Sequence, residues 1–442
     1  MIILPDYIIT AMSLLEKAGF EAHAVGGCVR DSLMGNIPHD WDMTTNARFD
    51  EMQAVFADFK TLDIGKKHGT LTVLIDGKSI EITTYRIDGQ YADNRHPTEV
   101  TFCTSLEEDL SRRDFTVNAL AYNTTVGITD KFNGITDLES RTIRCVGNAD
   151  KRFNEDALRI IRALRFASVL NFRIEKETAD SIHRNRLLLK NISHERVFSE
   201  LKKLLLSDTV FDVLMNYHDV LSVIIPEIEP LFEYDQKNHH HAYDLWEHTA
   251  RAVSHGKKDV AVRLALLFHD CGKPLCRSFD SDGEAHYYSH ASISTKKAKE
   301  ALTRLRCDNK TLDEVCKLIR LHDSPLPDNE KLIKRRLNQL GKETLFKLID
   351  IQRSDNAALG TVFSAQRKDG YDECEKLTEL ILDKEECFSL KTLAVNGNDI
   401  AAMGFTGKKI GEILNALLEA VIDSRCENER KSLLDFCAEM YG

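Results

Sequence analysis

AVGGCVRDSLMGNIPHDWDMTT, residues 24–45, is the segment on which the reading of the fold turns. A short apolar run leads into Gly26-Gly27 and then into helix-forming text, the pattern of a strand that turns into a helix. Glycines at such a junction let backbone N–H groups approach a phosphate at the helix start. Alone, a Gly-Gly pair is a common turn; here Arg30 and Asp31 follow at once, and Asp40 and Asp42 come soon after. Residues two apart on a strand project from one face, so the two carboxylates are expected side by side. Such a pair repels unless cations lie between its members. Its natural use is a site for two Mg²⁺ ions in phosphate chemistry, with Glu81 of a later strand as a third carboxylate.

Working outward, LTVLIDGKSIEITTYR (71–86) reads as two strands joined by a turn at Asp76-Gly77. NALAYN (118–123) and the segment near IRCVG (143–147) read as further strands. Beyond about residue 150 the strands are expected to vanish. EDALRIIRALRFASVL (155–170) and HERVFSELKKLLL (194–206) are amphipathic helical text. The fold class is therefore α+β: an N-terminal mixed α/β head followed by all-helical domains. The expected boundaries are a head at 1–150, a helical neck and body at 151–235, a His/Asp-rich helical domain at 236–365 and a helical tail at 366–442.

Composition bounds the function. The chain has 442 residues, 43% hydrophobic and 29% charged, an ordinary globular mix. No apolar run reaches the roughly 18 residues that span a bilayer. The start is apolar but carries Asp6 and Glu16 and no basic leader, so a first helix and a cytoplasmic location are expected. Eleven cysteines without a CxxC pair argue for reduced thiols. The net charge of −11 speaks against nucleic-acid binding, but Lys151–Leu206 holds 13 Lys+Arg against 7 Asp+Glu, a local +6. That stretch is equally a phosphate-contacting surface or a set of solvated helix faces.

GGCVRD followed by DWD resembles the polymerase-β-like nucleotidyltransferase superfamily, in the branch that holds bacterial CCA-adding enzymes and poly(A) polymerases. Later segments fall in the order of that branch. RRDFTVNAL (112–120) resembles its second motif, matching at Arg113, Asp114 and Asn118; DKFNGITDL (130–138) resembles the motif linking head to neck. EDALRIIRALRF (155–166) resembles the nucleotide-selecting helix, and VNGNDIAAMGFTGKKIGEIL (395–414) the C-terminal part. The resemblance implies a tRNA nucleotidyltransferase that adds C, C and A to the tRNA 3′ end from CTP and ATP. It implies two Mg²⁺ ions on Asp40 and Asp42, with Gly26, Gly27, Arg30, Arg113, Asp114 and Asn118 handling the nucleotide.

Base selection without a template has a physical basis in the neck. Asp156, Arg159, Arg162 and Arg165 recur every three residues beside the apolar row Leu158, Ile161 and Leu164. Cytosine and adenine each present an amino donor beside a ring-nitrogen acceptor, which a carboxylate and an arginine match; guanine and uracil reverse the order. From pattern alone, a solvated arginine stripe is the plain alternative. By resemblance, Asp156 and Arg159 are the selecting pair, Glu155 orients Arg159, and Arg162 and Arg165 meet the triphosphate. YRIDGQYADNRHP (85–97) is polar and reads as a loop; it resembles the family's flexible loop, intact at Asp88, Gly89, Tyr91, Asp93 and Arg95. That implies addition of the final A as well as CC. IGKKHGTLTV (64–73) resembles the CCA-adding branch rather than the poly(A) polymerases.

His248, His269-Asp270 and Asp355 have the order and spacing of an HD-type metal site, and His290 and His322 could hold a second metal. The resemblance to HD phosphohydrolases implies Ni²⁺, Co²⁺ or Mn²⁺ and hydrolysis of a phosphoester, such as a 2′,3′-cyclic phosphate at a damaged tRNA end. A retained but inactive module is the plain alternative. Rival readings of the whole chain are a poly(A) polymerase, an HD phosphohydrolase with an inactive head, and a guanosine-tetraphosphate synthetase/hydrolase, whose domains stand in the reverse order.

Overall fold

The computed structural model describes residues 2–63, 65–88, 100–237, 242–360 and 362–442, for 88, 100 and 362–368 the backbone alone. The chain divides into two compact units, Met1–Pro226 and Glu227–Gly442.

The first unit is built on a seven-stranded sheet. Its strands are β1 (Ala22–Val25), β2 (Asp42–Thr45), β3 (Lys60–Leu62), β4 (Thr70–Ile75), β5 (Lys78–Thr84), β8 (Leu120–Asn123) and β9 (Gly127–Asp130), in the order β3-β4-β5-β2-β1-β8-β9. The β4–β5 turn has Asp76 at φ 51° and Gly77 at φ 73°, the two positive angles that a type I′ turn requires. β2 and β5 are the parallel pair of this sheet; the crossover between them brings Glu81 level with Asp42. Below the sheet, Ile8, Met12 and Leu15 of the helix Asp6–Lys17 join Trp41, Met43, Leu71 and Ile82 in one core. Two short strands, β6 (Arg86–Asp88) and β7 (Val100–Phe102), pair with each other at the two ends of the 89–99 segment. Gly89, Tyr91, Asp93 and Arg95 lie outside the described residues, as does the side chain of Asp88.

Helices follow, as the sequence predicts, but strands do not vanish after residue 150. β10 (Thr142–Ile143) pairs in parallel with β11 (Arg173–Ile174), and β12 (Ser278–Phe279) forms a hairpin with β13 (Ala285–His286). Two-residue strands carry too little alternation to be read in sequence. The second unit is otherwise helical. Leu245–His255, Val260–Phe268, His290–Arg304, Asn309–Leu321 and Lys342–Ala357 pack together, and Cys387, Ile400, Ile413, Leu417 and Leu433 form a separate core near the C-terminus. No described helix is long and apolar enough to cross a membrane.

Candidate active sites

In the first unit, Gly26 is the N-cap of the helix Gly27–Leu33 at φ 83°, and a Cβ there would lie 3.1 Å from Arg113 Nη1. Any side chain would therefore meet both backbone strain and the guanidinium. Arg30, buried, donates from Nη1 to Asn118 Oδ1 at 2.7 Å and from Nε to Asp31 Oδ1 at 2.8 Å. Asn118 donates to Asp114 Oδ1 at 3.1 Å, and Arg162 donates to Asp114 Oδ2 at 2.9 and 2.6 Å. Burial would raise the Asp114 carboxyl, but Arg162 and Asn118 overcome it and bring the pKa down to about 2. Five residues assigned from separate motifs thus form one polar chain.

Asp42 opens β2 and faces Glu81 across the parallel ladder. Asp40 does not stand on the strand, which begins two residues later; buried Trp41 anchors the turn between the two carboxylates. The Asp42 pKa is raised by surrounding protein first and then by Glu81 and Asp40, against the pull of Arg113. Asp42 level with Glu81, and Asp40 close enough to act on its charge, would suit a divalent cation held by these three carboxylates.

The neck departs from one continuous helix. Ala149–Glu155 ends, Asp156 is extended at φ −135° and ψ 103°, and a second helix runs Leu158–Leu170. Asp156 therefore sits in the joint, and its carboxylate accepts from Leu158 N–H at 3.1 Å and Arg196 Nη2 at 3.3 Å. Arg159, 7% exposed, donates to Glu155 Oε2 at 2.9 Å, to the Arg152 carbonyl at 3.1 Å and to the Arg112 carbonyl at 2.8 Å. Arg162 and Arg165 turn inward, Arg165 meeting Glu200 at 2.6 Å, and both lie over the Phe166 ring. A solvated stripe is ruled out by this packing. Arg162 and Arg165 are engaged by Asp114 and Glu200 and line up behind the nucleotide motifs.

Sequence reasoning missed Glu200 and Asp109. Asp109 is fully buried; it accepts from Thr44 Oγ1 of β2 at 3.2 Å, from the Arg86 N–H at the start of β6 at 3.4 Å, and from Arg112 at 2.7 Å and Arg113 at 3.5 Å. Burial works against its charge, but Arg112 and Arg113 prevail and lower its pKa. One carboxylate thus ties the strand of Asp42, the root of the 89–99 segment and the second motif together.

The second unit gathers His248, His269, Asp270 and Asp355, as their order in the sequence predicts. His248 Nε2 lies 2.9 Å from Asp355 Oδ1; His269 Nε2 lies 3.2 Å from Asp270 Oδ2 and 3.4 Å from Asp355 Oδ1. The other oxygen of Asp270 faces His290 Nε2 at 3.4 Å and His322 Nε2 at 3.8 Å. Among the described residues, two groups of three donors converge within 4.8 Å: His248, His269 and Asp270, and Asp270, His290 and His322. Asp270 thus joins two donor sets, one on each oxygen. His269, His290 and His322 each donate from Nδ1 to the carbonyl three residues back, at 2.7, 2.8 and 2.7 Å. That fixes the ring and leaves Nε2 to point inward, the usual arrangement of metal-binding histidines. Buried His269 Nε2 has no hydrogen-bond partner of good geometry. Burial would lower the His269 pKa, but Asp270 and Asp355 push it up to about 10. These donors fit transition-metal ions.

The first unit's glycine turn and neighbouring carboxylates suit nucleotidyl transfer, and comparisons with known proteins define the class. Residues 22–144 match the model of the poly A polymerase head domain, 171–232 that of the probable RNA and SrmB-binding site of polymerase A, and 285–437 that of the putative tRNA nucleotidyltransferase domain 2. The chain is 33% identical to a CCA-adding enzyme of Lactobacillus helveticus, covering 99% of this chain and 98% of that protein. It is 34% identical to one of Streptococcus suis over 98% and 97%. A crystal structure of the Bacillus stearothermophilus CCA-adding enzyme in complex with CTP is 30% identical, covers 99% of this chain and 98% of that one, and superposes with a TM-score of 0.71. This chain belongs to the CCA-adding enzyme family.

Proposed function

We propose that this chain adds C, C and A in turn to the 3′ end of tRNA, using CTP and ATP and releasing pyrophosphate. The observation that carries the reading is Arg159, buried and held by Glu155 and two carbonyls, next to Asp156 at the helix joint. A preset donor and a neighbouring acceptor match the amino and ring-nitrogen edge shared by C and A. Divalent cations on Asp40, Asp42 and Glu81, when bound, supply charge stabilisation for the triphosphate and the attacking 3′-hydroxyl. The chain's own residues do the rest. Gly26 and Gly27 let the triphosphate approach the backbone, Arg30 and Arg113 carry positive charge to it, and the Asp114–Asn118–Arg162 chain keeps these groups in register. The CTP bound to the Bacillus relative and the tRNA named with the Thermotoga maritima CCA-adding enzyme support these substrates. The division into head (1–150), neck and body (151–235), metal-binding domain (236–365) and tail (366–442), with the body and tail binding tRNA in the cytoplasm, is part of this proposal. The test is incubation with tRNA lacking CCA and each NTP. Products should stop after three additions; a growing A tail would replace the reading with poly(A) polymerisation.

A second reading rests on the Asp270 cluster. With Ni²⁺, Co²⁺ or Mn²⁺ bound, its donors would serve hydrolysis of a phosphoester at a damaged tRNA end. Metal analysis after reconstitution, with hydrolysis of a 2′,3′-cyclic phosphate, tests it.

A further inference from the structure

The hairpin that leads into the helix His290–Arg304 carries features that neither reading uses. Tyr288 is 73% exposed, an unusual position for so large a ring. It is stacked on His286, centroids 5.6 Å apart and planes within 15°, and His286 is held by Asp280 at 2.9 Å. Ser289, next in the chain, is at φ 67°, a left-handed conformation that costs a non-glycine residue free energy. The turn it makes leaves Tyr288 in solvent while His290 reaches Asp270. Tyr288, His286, His290, Lys273 and Asp323 line one cavity of about 340 Å³. Its wall is therefore shared with the metal-type cluster. Lys273 Nζ is 2.7 Å from Asp270 Oδ2 and 3.1 Å from Gln236 Oε1, which places a cation at the inner end.

The other cavity that reaches the cluster, about 600 Å³ past His322 and Asp355, is lined by the carboxylates of Asp323, Asp328 and Glu373 and, among its described lining residues, by no lysine or arginine. Asp323 is common to both walls, but Asp328 and Glu373 add negative charge to this one alone, so the Lys273 side is the less repulsive entry for a phosphate. An aromatic platform at the mouth, a cation inside and phosphate chemistry beyond it match one nucleotide, with the base outside and the phosphate inside. A protein partner would use the ring but has no need of the polar inner end.

We propose that this cavity binds the 3′-terminal nucleotide of an RNA, its base stacked on Tyr288 and its terminal phosphate directed past Lys273 to the Asp270 cluster. The inference rests on the hydrolytic reading of that cluster and adds the side chain that holds the terminal base. In hydrolysis of a 2′,3′-cyclic phosphate, the water oxygen forms a new P–O bond, one ribose P–O bond breaks, and the freed ribose oxygen takes a proton from the water.

The test uses the full-length protein loaded with Mn²⁺, with adenosine 2′,3′-cyclic phosphate compared with abasic ribose 2′,3′-cyclic phosphate. Tyr288→Ala should raise the KM for the adenosine substrate roughly tenfold, the loss of one base stack, with kcat within about twofold. The abasic substrate should be unaffected, and Tyr288→Phe should behave as the parent. Binding of adenosine 3′-phosphate and ribose 3-phosphate is measured in parallel. A Tyr288-dependent preference for the adenosine ligand without hydrolysis would sink the hydrolytic reading and leave the nucleotide site standing. Hydrolysis with no change in KM or in binding on Tyr288→Ala would overturn the inference while the hydrolytic reading stands. Loss of a protein contact in Tyr288→Ala, with KM unchanged, would overturn it in favour of a protein-docking surface.

Discussion

The two metal-type sites of this chain differ in how much of the coordination the protein supplies. In the first unit, Asp40, Asp42 and Glu81 are exposed acidic groups on and beside a sheet. In the second, His248, His269, Asp270, His290 and His322 are buried donors. A hard ion such as Mg²⁺ keeps several waters and is commonly held by one or two carboxylates together with substrate phosphates. A site of that kind is completed when the nucleotide arrives. A buried set of imidazoles with carboxylates would complete a transition-metal shell from protein atoms, and an ion held there would be resident. The difference teaches that the donor chemistry sets whether a bound ion would come with the substrate or stay with the protein.

The largest effects should separate the sites. Asp40→Ala or Asp42→Ala should lower C and A addition by about 10³-fold or more, since transition-state charge stabilisation is lost. Bound transition metal and phosphoester hydrolysis should not change. Primer extension and elemental analysis on the same preparation check both; addition above a few percent of the parent would remove these residues from the reaction. The converse variant, His269→Ala with Asp270→Ala, should lose bound metal and hydrolysis while retaining CCA addition. If CCA addition falls in parallel, the sites are not independent.

A smaller effect probes selection inside the first site. Asp156→Arg with Arg159→Asp should weaken CTP and ATP and admit UTP or GTP, at about 1–3 kcal/mol for each misplaced hydrogen bond. Single-nucleotide incorporation reads this; unchanged preference in a folded variant would end the assignment. The smallest effect is on stability. The Asp114 pKa is about 2, against about 3.9 for a free aspartate, so its stabilisation is full above about pH 4 and is lost as pH falls through 2. Asp114→Asn should remove roughly 2 kcal/mol of that acid dependence. Denaturant melts from pH 5 to 2 should show a flatter curve for the variant.

Much of this was legible in the sequence because it was written in short spacings. Gly26-Gly27, Asp42 at the start of its strand, and the Asp76-Gly77 turn each lie within a few residues of the feature they signal, whereas the shared strand face expected for Asp40 did not form. The His/Asp cluster was legible from residue order, although its members span 107 positions from His248 to Asp355. What escaped depends on tertiary contact. Asp109 sits in the acidic run EEDL, which reads as the ordinary start of a helix, and only the fold brings Thr44 and Arg86 to it. The joint at Asp156 carries no proline or glycine to announce it. The inward facing of Arg162 and Arg165 depends on Asp114 and Glu200, which are distant in sequence.

The paired roots of the 89–99 segment bear on how such a head can change over time. Arg86–Asp88 is paired with Val100–Phe102, and Asp109 holds the Arg86 N–H, so both ends are fixed independently of what connects them. Loss of the Asp109 carboxylate would remove one acceptor shared by the Arg86 N–H, Arg112 and Arg113, so a change at this single buried position is felt at the root of the segment, in β2 and in the second motif together.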